Sequence, residues 1–359
     1  MKEKIISGIQ QIGIGVTNIY EAWTWYKKYF GVDIRIFEDA AEARHMVIYT
    51  GGKVRKRHAA LAINLQGGGG FEIWQYVDRV PEAPDFKIQV GDLGIFAVKI
   101  KSKNVRATYE WFKSEGLTIL DGVHSFNGNE SFFVRDLYGN LFQIVPSNSW
   151  FRNEKKLTGA SYGAIIGVKD IDASVKFYSD ILGYDQVIYD QTGQFSDLSA
   201  LDGGDNHFRR VLLKHSKPRL GAFSNLFGNS QIELVQVLDH EPKKIYQGRY
   251  WGDLGFIHIC YDIRGMELLR EECKSKGHPF TVDTMNTFDM GEAAGAFSYT
   301  EDPDGTLIEF VETHRIPIIK KLGIYLDLLK RKPEKSLPDW MLNLLSLSRV
   351  KKFKLGKAG

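Results

Sequence analysis

The sequence predicts an α+β protein built from four β-α-β-β-β units, paired into two tandem domains. Three observations lead there. First, Phe133-Val-Arg-Asp136-Leu-Tyr-Gly139-Asn-Leu-Phe-Gln143 and Tyr299-Thr-Glu-Asp302-Pro-Asp-Gly305-Thr-Leu-Ile-Glu309 are near copies. Each reads as a strand, a tight Asp/Gly turn and a second strand with one polar residue near its middle, and a copied segment of this kind marks a repeated structural unit. Second, an apolar strand, a polar turn, a helix and a Gly recur four times. Third, each helix is followed by runs with strand periodicity and Gly-rich turns.

The four strand-helix segments begin at Gln11–Val16, Ile95–Ile100, Gly163–Val168 and His258–Ile263. The expected helices run from about Asn18 to Phe30, Lys103 to Glu115, Asp170 to Leu182 and Gly265 to Lys276. Asn18 and Asp170 are suited to cap their helices, because a short polar side chain can accept from the free N–H groups of the first turn. Gly31, Gly116, Gly183 and Gly277 stand just past the helices, where a left-handed residue ends them. In the third helix Ile171, Ala173, Val175, Phe177, Tyr178, Ile181 and Leu182 supply an apolar stripe. Behind it come expected strands near Gln186–Tyr189, Phe208–Lys214 and Gln231–Val237, with Asp202-Gly-Gly-Asp205 as a turn. Gly67-Gly-Gly-Gly70 reads as a loop and not a phosphate cradle, because no helix follows it.

Composition narrows the class. The 359 residues are 43% hydrophobic and 25% charged, which is ordinary for a globular protein. No apolar run reaches the ~18–20 residues of a membrane span, and Met1-Lys-Glu-Lys-Ile-Ile lacks the core of a signal peptide. Cys260 and Cys273 are the two cysteines, expected as free thiols in a reducing cytoplasm. The net charge of +3 is uneven: from Arg315 onward twelve Lys and Arg face three Asp and Glu, a balance of +9 that leaves −6 elsewhere. That acidic body and the lack of any nucleic-acid module argue against nucleic acid as a partner. In the tail, Ser336-Leu-Pro-Asp339 before Trp340-Met-Leu-Asn-Leu-Leu-Ser-Leu347 has the spacing of a capping box opening a short amphipathic helix. Such a helix could dock on anionic lipid; the simpler expectation packs it against the body.

Strand alternation then picks out candidate functional residues. In Gln231-Ile-Glu-Leu-Val the apolar Ile232 and Leu234 should face a helix and Glu233 the opposite side. By the same rule Ile257 and Ile259 oppose His258, and Ile308 and Phe310 oppose Glu309. A carboxylate in a strand interior is costly unless paired or metal-bound. One imidazole and two carboxylates suit a divalent ion such as Fe, Mn, Ni, Co or Zn. Arg210, in a strand next to these, is a candidate to hold a substrate carboxylate through two hydrogen bonds and reads equally well as an edge-strand surface residue. Cys260 shares the face of His258, and His207 and Arg209 read equally well as surface residues.

Four such units with Asp302-Pro-Asp-Gly305 before the last strand resemble the vicinal oxygen chelate superfamily, which includes glyoxalase I, epimerases, extradiol dioxygenases and metal-free binding proteins. The resemblance implies two tandem domains, at 8–148 and 159–314, and leaves 315–359 as a basic helical tail outside it. It implies ligands on the first and last strand of each unit. Carried onto the second domain, these positions are Gly163, Glu233, His258 and Glu309, of which Gly163 departs from the family's His or Gln. In the first domain they are Gln11, Glu72, Ile95 and Gln143, a set expected to be metal-free because Ile95 cannot ligate. The function so implied is a metal-dependent lyase or isomerase of the glyoxalase or epimerase type, acting on a small oxygenated metabolite. Glu233 or Glu309 would be its base. The alternatives are an extradiol-type ring-cleaving dioxygenase, which would use Tyr299, and a small-molecule-binding protein without catalysis. Against the dioxygenase stands the lack of an upstream His around Met290 to Glu292.

Overall fold

A computed structural model describes residues 3–284, 295–319 and 324–353. Within them the four units are present in the expected order. Unit one is β1 (Ile5–Gly15), α1 (Ile19–Phe30), β2 (Ile34–Glu42), β3 (Lys56–Ile63) and β4 (Gly70–Tyr76). Unit two is β5 (Gly94–Ser102), α2 (Val105–Ser114), β6 (Thr118–Phe126), β7 (Asn129–Arg135) and β8 (Leu141–Pro146). Unit three is β9 (Thr158–Gly167), α3 (Ile171–Asp180), β10 (Gln186–Gly193), β11 (Phe208–Lys214), a short α4 (Ser224–Phe227) and β12 (Gln231–Val237). Unit four is β13 (Gly255–Arg264), α5 (Met266–Ser275), β14 (Val282–Asp283), β15 (Gly295–Glu301) and β16 (Leu307–Thr313). The helix ends obey their local chemistry. Asn18 and Asp170 each accept two backbone N–H groups of the first turn, and Gly31 ends α1 in the left-handed region at φ 64°. Without a side-chain cap of its own, α5 is served by Glu312, which accepts from the Gly265 N–H at 2.8 Å.

The units do not pair as their order along the chain suggests. Two curled eight-stranded sheets form, one in the order β14-β15-β16-β13-β1-β4-β3-β2 and the other β10-β11-β12-β9-β5-β8-β7-β6. Each sheet thus joins one unit from each half of the chain, four with one and three with two. The seams are antiparallel: β1 lies against β13, and β5 against β9. Each seam strand also carries a parallel partner from its own unit, β4, β16, β8 or β12.

The halves remain linked through their helices. Tyr26 of α1 donates from Oη to Asp136 Oδ2 at 2.6 Å, and Tyr178 of α3 donates to Asp302 Oδ2 at 3.0 Å. Both acceptors are the Asp of the duplicated turn, and each also accepts backbone N–H groups of its own turn. The copy therefore extends to a contact between consecutive units. Around these bonds the apolar helix faces and the convex sides of both sheets fuse into one core, with Phe30, Phe112 and Phe142 packed ring against ring.

Two expectations change. At the β1–β13 seam Gly13 faces His258 and Ile14 faces Phe256, so Ile257 is a bulged residue. The side-chain alternation shifts there, and Ile257 packs with Trp74, Trp251 and Tyr299 on the concave side while Ile259 keeps the helix side. The tail opens with a hairpin of β17 (Arg315–Ile319) and β18 (Ile324–Asp327), followed by only a short helix, α6 (Asp339–Asn343). The capping box is not made: Pro338 stands at the N-cap with no side-chain hydrogen bond, and the Ser336 hydroxyl bonds to the Leu337 carbonyl. The tail still docks on the body, through Leu337 and Leu342 against Leu65, Leu226 and Phe227 and through Arg349, which pairs with Asp33 and Glu154.

Candidate metal centre

The seam between β1 and β13 builds a site from two units that the sequence reading had kept apart. Gln11 faces Cys260 and Gly13 faces His258, so Gln11 and His258 are equivalent positions on two antiparallel strands. Their parallel neighbours complete the symmetry, with Glu72 beside Gly13 and Glu309 beside Cys260. All four polar side chains are buried. His258 Nε2 lies 3.0 Å from Glu309 Oε2 and 3.4 Å from Glu72 Oε2, and Gln11 Nε2 donates to Glu309 Oε2 at 3.3 Å. Glu72, His258 and Glu309 each offer a ligand atom within 4.8 Å of the others.

Glu233 does not belong to this cluster, which corrects its expected role as ligand and base. It lies on β12 in the other sheet, where two cations already hold it. Lys99 Nζ donates to Glu233 Oε2 at 2.7 Å, and Arg210 Nε donates to Oε1 at 2.9 Å. Arg210 also makes a two-pronged pair with Asp197 at 2.8 and 3.0 Å, under the rings of Phe126 and Phe195. It is fully buried there, so it is neither placed to hold a substrate carboxylate nor on the surface, the two readings its sequence position allowed. Burial raises the Glu233 carboxyl, but Arg210 and Lys99 outweigh that and bring it down to about 2. The sheet register also moves one expected equivalence. Gln143 pairs with Lys99, so the position matching His258 on β5 is Ala97 and not Ile95. A side chain at Gly163 has no room, since its Cβ would stand 1.7 Å from the Gln231 carbonyl oxygen.

The two concave faces thus differ in charge. One holds Glu233 and Asp197 against Lys99 and Arg210, and is neutral. The other holds Glu72 and Glu309 with His258 and no Lys or Arg in contact among the described residues. Burial, then the nearby Glu309 carboxylate, pushes the Glu72 carboxyl up to about 7 against the pull of His258. Burial alone would raise Glu309 too, but His258 overrides it and Glu309 titrates low. Desolvation works to lower His258, and Glu309 reverses it, so the imidazole titrates high. Gln11 Oε1 and both His258 ring nitrogens are buried without a hydrogen-bond partner; the close His258–Glu309 contact lacks the angle of one. Two carboxylates, an imidazole and an amide oxygen gathered in one buried place, the last two without hydrogen-bond partners, form a donor set that fits a divalent cation. Ligand atoms ~2.1 Å from one ion stand about 3–4 Å apart, close to the spacing found.

The walls of the site are aromatic. Trp251 lies parallel to His258 with centroids 6.3 Å apart, and Tyr299 meets the imidazole edge-on at 5.5 Å. Tyr299 is therefore beside the cluster, as expected, and Cys260 is buried next to it. His207 and Arg209 lie apart, paired with Asp239 and with Asp172 and Asp190. The positions around Met290 to Glu292 lie outside the described residues. Sequence reasoning missed Gly13: a Cβ there would come within 2.3 Å of His258 Cε1. It also kept Gln11 and Glu72 out of the site. One signal was available, since units one and four each carry two ligand-capable residues and units two and three do not.

Residues 8–144 match the family model of the Glyoxalase/Bleomycin resistance protein/Dioxygenase superfamily, and residues 164–294 match a second model of the same description. The chain belongs to this superfamily. No curated protein matches it. Among solved structures, glyoxalase I from Zea mays is similar with a TM-score of 0.52 at 14% identity, covering 86% of this chain and 92% of the maize chain. A putative dioxygenase from Bacillus subtilis has a TM-score of 0.53 at 14% identity, covering 86% of each. These likenesses show the superfamily fold. They do not choose between its reactions.

Lys99→Met should leave Glu233 with one cation and destabilise the protein by about 2–4 kcal/mol, measured by urea denaturation. Gly13→Ala should displace His258 and cut metal retention while far-ultraviolet circular dichroism stays unchanged; full retention of metal would contradict the geometry. Glu72 titrates near 7 when folded, against an ordinary 4.5, so its proton favours the folded state below about 4.5 and that stabilisation is lost as pH rises through 7. In chelator, the melting temperature of the native protein should fall over this window relative to Glu72→Gln.

Proposed function

We propose that the chain is a metal-dependent enzyme of the glyoxalase or epimerase type, with Gln11, Glu72, His258 and Glu309 as the ligand set. The observation that carries this reading is a pair of buried carboxylates around one imidazole that lacks a hydrogen-bond partner, with no Lys or Arg in contact among the described residues. A divalent ion bound there would supply a Lewis acid for two adjacent oxygens of a small oxygenated substrate.

The chain's own groups divide the remaining work. Glu309 is held by Gln11 and lies against His258, which suits a fixed ligand. Glu72 makes no hydrogen bond among the described residues and is the more exposed of the two carboxylates. That freedom suits a general base, which must approach and leave a substrate C–H next to a carbonyl. In this role Glu72 takes the proton from one carbon of the substrate and returns it to the same or the adjacent one. Trp251, Trp74 and Tyr299 would hold the substrate carbon against this base. Tyr299 keeps its proton, because burial and then Glu309 raise its hydroxyl well above the ordinary range.

The dioxygenase reading has Tyr299 in its favour but one imidazole in the cluster among the described residues.

Purified protein should hold one divalent ion per chain, and His258→Ala should hold none at an unchanged melting temperature in chelator. Glu72→Gln should keep a fraction of the metal but lose proton exchange. The assay is deuterium incorporation next to the carbonyl of 2-hydroxy ketones and of thiol adducts of 2-oxo aldehydes, read by proton NMR. Oxygen uptake with catechols would favour the dioxygenase, and a metal-free protein would favour the binder.

A further inference from the structure

We infer that the C-terminal segment around Trp340–Lys352 is a docking face for a membrane surface carrying anionic lipid. The face follows from local geometry. In an α-helix, residues four apart differ by about 40° around the axis, and in a 3₁₀ turn residues three apart are in line. The α6 helix passes directly into a 3₁₀ turn at Leu344–Ser348. Trp340, Leu344 and Leu347 therefore fall on one stripe. They are 62%, 40% and 84% exposed, although all three are large and apolar.

The opposite side of the same segment is fully engaged. Leu342 is buried with Leu65, Leu226 and Phe227, and Asn343 Oδ1 accepts from Arg152 at 3.0 Å. Asp339, at the start of the helix, accepts from Asn225 at 2.9 Å. The stripe thus points away from the body because the other face is fixed to it. Exposed lysines flank it on both sides in sequence, Lys332 and Lys335 before it and Lys351 and Lys352 after it. Charge in the tail as a whole runs to +9 over residues 315–359, against −6 for the rest of the chain.

Exposed apolar side chains flanked in sequence by exposed lysines match a lipid surface in two ways at once. Trp and Leu insert into the head-group boundary, and the lysines meet anionic head groups. Three side chains are too few for a stable protein partner, which covers about 800 Å² on each side. A second copy meeting the stripe face to face would bring like charges together. No helix among the described residues is long and apolar enough to cross a membrane, so the contact is peripheral.

The test uses the full chain and co-sedimentation with vesicles of phosphatidylcholine, with and without phosphatidylserine. Binding is expected only to the phosphatidylserine vesicles, weakening as salt rises. The double variant Trp340→Ser/Leu347→Ser should bind about tenfold more weakly or worse, at the native melting temperature and with native metal content. Equal binding to both vesicles, no binding to either, or an unchanged double variant would overturn the inference. So would self-association without lipid that the double variant abolishes, since the stripe would then be a contact between copies. None of these readouts depends on the metal centre, so the two proposals fail separately.

Discussion

The antiparallel pairing of β1 with β13 is the contact on which the candidate site depends. It closes a loop of more than two hundred residues and lays Gln11 and His258 side by side on neighbouring strands. Each brings the carboxylate of its own unit through a parallel pair, Glu72 by β4 and Glu309 by β16. No unit carries more than two of the four clustered side chains. Gly13 belongs to the same constraint: the strand beneath His258 must lack a side chain, because the imidazole occupies the space of a Cβ.

The second seam, β5 with β9, builds the same architecture around different residues. Gly163 stands where Gln11 stands in the first sheet, and Ala97 where His258 stands. The carboxylate that remains, Glu233, would be left bare in a buried sheet. Lys99 and Arg210 fill that role from within, and Asp197 balances the second cation. The two faces differ in that one holds its carboxylates against Lys99 and Arg210, while the other has no Lys or Arg in contact among the described residues. The first arrangement ties Arg210 to structure, in a place where its sequence position had allowed contact with substrate.

Consecutive units are held on the other side of the molecule. Tyr26 and Tyr178 reach from their helices to Asp136 and Asp302, so each half of the chain is stitched through its helix layer. The sheets cross-connect the halves and the helices bind them sequentially. Together they give one continuous apolar core and leave two concave faces for polar residues. At one end of this body the tail is anchored by Arg349 and Leu342 and turns Trp340, Leu344 and Leu347 outward.

The sequence by itself determined the repeat, the helix ends, most strand positions and the side of each strand on which His258 and Glu309 lie, because these follow from short-range periodicity and turn chemistry. It also marked Tyr299 as a neighbour of the site. Tertiary structure alone decided which units share a sheet. Strand pairing across the chain is set by how four curved units close on one core, and no local signal encodes it. For that reason Glu233 left the site while Gln11 and Glu72 entered it, and one bulge was enough to turn Ile257 to the concave side. The tail diverged for a similar reason. Its helical pattern was legible, but docking of Leu337 and Leu342 against the body fixed where the helix starts and which of its faces remains open.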